Sequence, residues 1–160
     1  RDWQYKSDGL FRIPDSAQGS VAVVLSLWRF EHFAHRRNGY YMTSHNVHAA
    51  DNTLDCEVDY AYVFIDDMDD SYEIVIGQAT RFSDFTDVDM QKMSALADKL
   101  PRKPYIAFST LKDRFSDADK TRFKSLVEAG YRVIALTREE LDPYDLYDHS
   151  QQHLIDMSTI

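Results

Sequence analysis

Hydrophobic positions recur along this chain with two different periods, and the switches between them mark its elements. Val21, Val24, Leu25, Trp28 and Ala34 follow helical spacing. Ser20 serves as a cap and Asn38-Gly39 as a stop, which predicts a helix over residues 20–37. Residues 40–55 are polar and turn-rich, with Tyr40-Tyr41-Met42 offering one short strand. Residues 57–65 and 72–79 are dense in Val, Tyr, Phe and Ile around an acidic turn, which predicts an antiparallel hairpin. Both faces of these runs are largely apolar, so the hairpin belongs inside a covered sheet. Thr86 heads a helix to residue 100 that presents Met90, Met93, Leu96 and Ala97, and Pro101 and Pro104 close it. A buried strand over 105–110 follows, then a helix over 116–129 capped by Ser116 and ended by Gly130. A second buried strand over 131–136 leads to Thr137 and Glu140, the capping box of a short last helix.

The order is helix, strand hairpin, helix, strand, helix, strand, helix. Alternation of strand and helix in the second half predicts parallel pairing through right-handed crossovers. The fold class is α/β: a mixed sheet with a central antiparallel hairpin, flanked by helices. We divide the chain into an N-terminal arm (1–19), an α/β domain (20–148) and a polar tail (149–160). It opens on Arg1, which we read as one domain of a longer protein.

Composition narrows this picture. A chain of 160 residues with 44% hydrophobic and 13% aromatic content suits one domain with its own core, not a disordered segment. No run approaches the roughly 18 apolar residues of a membrane span, so no membrane is expected as partner. Cys56 is the single cysteine, which excludes an internal disulfide and a thiolate zinc site and favours a reducing, cytoplasmic setting. With 18 Lys+Arg against 27 Asp+Glu the net charge is -9, a poor match for nonspecific polyanion binding. A carboxylate cluster for a metal, or a partner domain supplying basic surface, remains compatible with it.

The hairpin is where chemistry concentrates. A turn centred between Met68 and Asp69 sets Asp59 opposite Gln78 and Glu57 opposite Thr80. Directly opposed side chains share a face with Cβ atoms about 4.5–5.5 Å apart, so these four would stand together. Two carboxylates and an amide oxygen are hard ligands, suited to Mg²⁺. Polar residues also gather at strand ends simply because strand ends reach water.

These residues also carry a resemblance. A helix, an acidic residue on one strand, an acid-x-Lys tripeptide on the hairpin's second strand, then a helix and a strand, is the arrangement of the PD-(D/E)xK nucleases. Glu57-Val58-Asp59 resembles that family's first acidic position, with Asp59 the best match. Ile74-Val75-Ile76-Gly77-Gln78-Ala79-Thr80 resembles its second motif, and Phe85-Thr86-Asp87-Val88-Asp89 resembles the segment after it. The resemblance covers roughly residues 20–145. It implies a restriction-endonuclease-like sheet and Mg²⁺- or Mn²⁺-dependent hydrolysis of DNA in prokaryotic restriction or phage defence. Asp59 and Gln78 would be the metal-site residues, with Glu57 supporting. Further domains or subunits, in a homo-oligomer, would supply the basic surface.

Two departures stand out. Gln78 replaces the usual acid, as it does in Mrr-like branches, and Thr80 occupies the catalytic Lys position. A neutral hydroxyl cannot stabilise developing charge as an ammonium does. Lys92 and Lys112 are the cations that could replace it; Arg81 points to the other face unless a bulge intervenes. The competing expectation is a catalytically degenerate nuclease fold kept for assembly or nucleic-acid binding.

Elsewhere the signals are weaker. Glu31 on the first helix could act as an added acidic ligand. The pairs His32/His35 and His149/His153 have metal-like spacing but no third ligand, and His45 and His48 flank Asn46 in a polar loop ahead of the acidic strand, from which they could approach the site. Arg29, Arg36, Arg37, Arg102, Lys103, Lys112 and Arg114 could form local basic ground. Asp66, Asp67, Asp69 and Asp70 lack the spacing and the central Gly of an EF-hand loop.

Overall fold

The computed structural model describes residues 19–33, 38–48, 55–66 and 71–142. The arm before residue 19, the tip of the hairpin turn and the tail fall outside them, as do His35, Arg36, Arg37, His149 and His153. In chain order the elements are α1 (Gly19–Phe33), β1 (Asn38–His48), β2 (Asp55–Ile65), β3 (Tyr72–Thr80), α2 (Asp87–Lys99), β4 (Tyr105–Thr110), α3 (Asp117–Glu128), β5 (Arg132–Leu136) and α4 (Arg138–Leu141). The strands form one mixed sheet in the order β1-β2-β3-β4-β5. β1–β2 and β2–β3 pair antiparallel, and β3–β4 and β4–β5 pair parallel. The expected α/β class and central hairpin are therefore present.

Local chemistry places the helices. Thr86 and Ser116 accept the N–H groups of Asp89 and Asp119 and so cap α2 and α3. Beyond α3, Gly130 adopts φ +88°, a left-handed geometry that turns the chain into β5.

Both faces of the sheet are covered, and the strands sort their side chains accordingly. Ile76, Ile106, Phe108, Val133 and Ala135 join α2 and α3 in one apolar cluster. The intervening Val75, Ala107, Ile134 and Leu136 join α1 and Leu141 in a second. That alternation is the period-two pleat of strands buried on both sides.

One segment departs from expectation. Asn38-Gly39, expected to stop a helix, instead opens β1, and the turn-rich stretch is an edge strand of 11 residues. Its side chains are exposed almost throughout, so it has no hydrophobic alternation to read; its ladder with β2 makes it a strand. Gly39 is needed there, because a Cβ would fall 1.8 Å from the Tyr62 hydroxyl oxygen.

Candidate functional site

The β2–β3 ladder runs from Ile65↔Tyr72 to Tyr60↔Gly77. Its pairs have the expected register, and the ladder ends one pair short of Asp59 and Gln78. Gly77 is required at the last pair, since the Tyr60 ring lies across it and a Cβ would meet Tyr60 Cζ at 2.0 Å.

At Asp59 the pleat of β2 breaks. Tyr60, Tyr62 and Phe64 pack on the α1 side, whereas Cys56 and Val58, also even-numbered, pack on the α2/α3 side. The β1–β2 register continues without an inserted residue, from Thr43↔Tyr60 to His45↔Val58. Between those partners Ser44 takes φ +48°, a left-handed conformation that is strained for a residue with a side chain. Asp59 thus sits at a seam where β2 passes from one core to the other.

Its carboxylate is held there. Asp59 Oδ2 accepts the Ala79 N–H at 2.7 Å, tying β2 to β3 beyond the last ladder pair. Burial pushes the Asp59 pKa above the ordinary carboxylate range, the Ala79 hydrogen bond opposes this, and the charges of Glu57 and Asp89 push it further up. Asp89 belongs to the first turn of α2, where its carboxylate accepts the Thr86 N–H at 2.7 Å in a capping box. Negative charge from β2 and α2 is therefore concentrated around one half-buried carboxylate.

The other expected site residues are distributed as follows. Gln78 is half-buried and pairs in the parallel ladder with Phe108. Glu57 is exposed and pairs with Asn46 of β1. The Thr80 hydroxyl donates to the Ser83 carbonyl at 2.8 Å, within the turn that leaves β3. Asp59, Glu57 and Asp89 are thus electrostatically coupled, while the Thr80 hydroxyl is engaged in its own turn. Asp89 was not among the expected site residues. The Thr86-x-x-Asp89 capping box was the signal that could have found it, because it places an acid on the first helical turn after the motif strand.

Among the cations proposed as replacements for Lys, Lys112 pairs with Asp84 across the β3 and β4 loops, and Lys92 lies exposed on α2. Arg29 is buried and donates to the Glu140 carbonyl, so it contributes no basic surface. Glu31 accepts the Tyr62 hydroxyl, His32 stacks on Trp28, and His45 bonds the Thr43 carbonyl. Each of these has a local structural partner.

No three His, Cys, Asp or Glu side chains among the described residues converge into a metal cage. The donors around Asp59 nevertheless suit a hard cation that keeps most of its water. Asp59 has a second carboxylate oxygen, and Glu57 and Asp89 add negative charge. Mg²⁺ is commonly bound in this way, through one or two carboxylates with waters and phosphate oxygens completing its shell.

No protein-family model matches the sequence, and no curated protein matches it. Among solved structures, the MspJI restriction endonuclease in complex with a 27-mer oligonucleotide aligns with 88% of this chain at 12% identity and a TM-score of 0.39. The chain spans 34% of the length of that protein. No described helix is long and apolar enough to cross a membrane.

Proposed function

We propose that this chain is a nuclease-like domain that hydrolyses DNA phosphodiester bonds with Mg²⁺ or Mn²⁺ held at Asp59 and Gln78. The observation that carries the reading is the half-buried Asp59 carboxylate, kept at the β2–β3 seam by the Ala79 N–H and surrounded by the charges of Glu57 and Asp89. A protein holds like charges together at a cost, and a bound cation relieves it. The metal supplies Lewis acidity toward a phosphoryl oxygen and the attacking water. Asp59 provides the anionic ligand, Gln78 a neutral one, and Glu57 supports them from the exposed end of β2. Thr80, at the position of the family's Lys, offers only a hydroxyl. Further domains or subunits supply the basic surface that a chain of net charge -9 lacks.

A second reading is favoured by two specific contacts. The Thr80 hydroxyl is committed to Ser83 and Lys112 to Asp84, which suits a degenerate nuclease fold that binds or assembles without cutting. Incubation with supercoiled and linear DNA and Mg²⁺ or Mn²⁺, beside Asp59→Ala, separates the two. Nicking or linearisation that disappears in Asp59→Ala supports the enzyme. Absence of cleavage with either ion, with DNA still bound in a gel-shift assay, selects the scaffold.

A further inference from the structure

The sheet has two edges, and they are guarded differently. β5 is short, running only from Arg132 to Leu136, whereas β1 runs for 11 residues, Asn38–His48. Among the described residues no strand pairs with the outer side of β1. Natural edge strands are usually protected by Lys, Pro, inward-pointing charge or shortness, because their outward N–H and C=O groups invite a further strand. β1 carries no Pro, Lys, Asp or Glu. Its apolar side chains lie open instead: Tyr40 is 61% exposed, Tyr41 65% and Met42 48%.

Charge and register say what fits there. Asp and Glu are absent from residue 32 to residue 50, in a chain of net charge -9. Two copies of so acidic a chain repel one another least where the acids are missing. The left-handed Ser44 ends the regular part of the strand, which leaves Gly39–Thr43 with Tyr41 at its centre. Tyr41 lies opposite Tyr62, which packs on the α1 side, and Tyr40 and Met42 lie opposite Val63 and Ala61 on the other face.

Antiparallel pairing of β1 with a second β1 needs a two-fold axis perpendicular to the sheet, and such an axis keeps the α1 faces of both copies on one side. Odd-numbered residues of this stretch then oppose only odd-numbered ones, and even only even, since facing side chains share a face. Full overlap of Gly39–Thr43 therefore sets Tyr41 against itself across the axis. It also sets Tyr40 of each copy against Met42 of the other, and Gly39 against Thr43. All three exposed apolar side chains find apolar partners in this register, which is the self-complementarity of an isologous interface. We propose that β1 pairs edge to edge with β1 of a second copy, centred on Tyr41, and joins two five-stranded sheets into one. Asp59 and a metal take no part, so the inference stands apart from the nuclease reading.

Sedimentation equilibrium and cysteine crosslinking of the full chain test it. An edge contact is narrower than a standard interface, so the dimer should dissociate with a constant of roughly 10–100 μM. Tyr41→Lys removes the ring pair and places two ammonium groups face to face, so it should weaken the dimer about tenfold. Tyr41 is largely exposed, so the change leaves the fold intact, which circular dichroism checks. Tyr41→Cys sets a thiol opposite its own copy, about 4.5–5.5 Å away at Cβ, and should give a disulfide-linked dimer on mild oxidation. Thr43→Cys shares that face but meets Gly39 of the other copy, so its thiols lie roughly 14 Å apart and should stay reduced. Cys56 is buried and does not interfere. A monomer at every concentration up to roughly 500 μM overturns the proposal and leaves a strand of another protein as the occupant of the edge. A dimer indifferent to Tyr41→Lys, or one that Thr43→Cys crosslinks as well as Tyr41→Cys, overturns it too. Asp59→Ala should leave dimerisation unchanged, so loss of cleavage and loss of pairing are separable failures.

Discussion

On the α2/α3 side of the sheet, Phe85, Phe108, Phe115 and Phe123 meet ring to ring. Phe108 stacks on Phe123 at 4.6 Å, and Phe115 meets Phe123 edge-on at 5.0 Å. On the α1 side the rings are Phe30, Tyr60, Tyr62 and Phe64, and the two tyrosines bring hydroxyls into a buried layer. Tyr60 Oη lies 2.7 Å from Ser109 Oγ, which lies 2.7 Å from Ser26 Oγ, itself 2.7 Å from the Ala22 carbonyl oxygen. Each hydroxyl has one proton, so the arrangement that satisfies all three runs from Tyr60 to Ser109 to Ser26 to Ala22. Burial pushes the Tyr60 pKa up to about 12 despite these bonds, which keeps the phenol neutral. The phenylalanine side asks only for volume and shape. The tyrosine side also asks for direction, and so fixes how α1, β2 and β4 stand relative to one another.

If that contrast is right, removing volume should do most damage on the phenylalanine side. Phe123 is fully buried and touches all three of its ring partners. Phe123→Ala should cost about 3–5 kcal/mol, the range for a buried Phe reduced to Ala with partial collapse. Urea denaturation at neutral pH measures it, and a loss under about 1.5 kcal/mol would mean the cluster is not the centre of that core.

Adding volume should do most damage on the tyrosine side. The Tyr60 ring occupies the space over Gly77, so Gly77→Ala must displace it and pull its hydroxyl off Ser109. The expected cost is about 2–3 kcal/mol, at the upper end of overpacking penalties. Measured again in a Tyr60→Leu background, where the clashing ring atoms are gone, the penalty should fall by more than half. An equal penalty in both backgrounds would place the strain elsewhere.

The direction requirement itself is weaker. Tyr60→Phe keeps the ring and leaves Ser109 able to donate to Ser26, so about 1 kcal/mol should be lost. The same assay shows it, and a neutral effect would make the hydroxyl chain incidental.

These two sides were unequally legible in the sequence. Strands 105–110 and 131–136, and the caps Thr86, Ser116 and Thr137, could be read because alternation, cap chemistry and turn residues all agree locally. The hairpin register could be read because a polar turn between two apolar runs leaves little freedom. The edge strand Asn38–His48 could not, since it is stabilised by a neighbour rather than by its own pattern. Nor could the seam at Asp59, because even spacing in β2 predicts one face throughout, and the switch coincides with a left-handed Ser44. The Ser26–Ser109–Tyr60 contact joins residues 83 and 49 positions apart, and no local signal announces it.

The seam between the two sides yields the smallest effect and the most functional one. Asp59 titrates above the ordinary carboxylate range, because burial and the charges of Glu57 and Asp89 outweigh the Ala79 hydrogen bond. A carboxyl with a raised folded-state pKa binds its proton more tightly folded than unfolded. Its contribution to stability is therefore fully present below the unfolded value and lost as pH rises through the folded one. At neutral pH the ionised group is a net burden. Asp59→Asn, which retains an oxygen for the Ala79 N–H, should raise Tm by roughly 1–3 °C at pH 7. The gain should shrink toward zero as pH falls through the window between the raised and the ordinary carboxylate values. Scanning calorimetry across that range reads both. A gain that is constant with pH would assign the effect to packing. A loss at neutral pH would mean that the charge of Asp59 is already compensated in the folded chain, leaving no electrostatic reason for a cation to bind there.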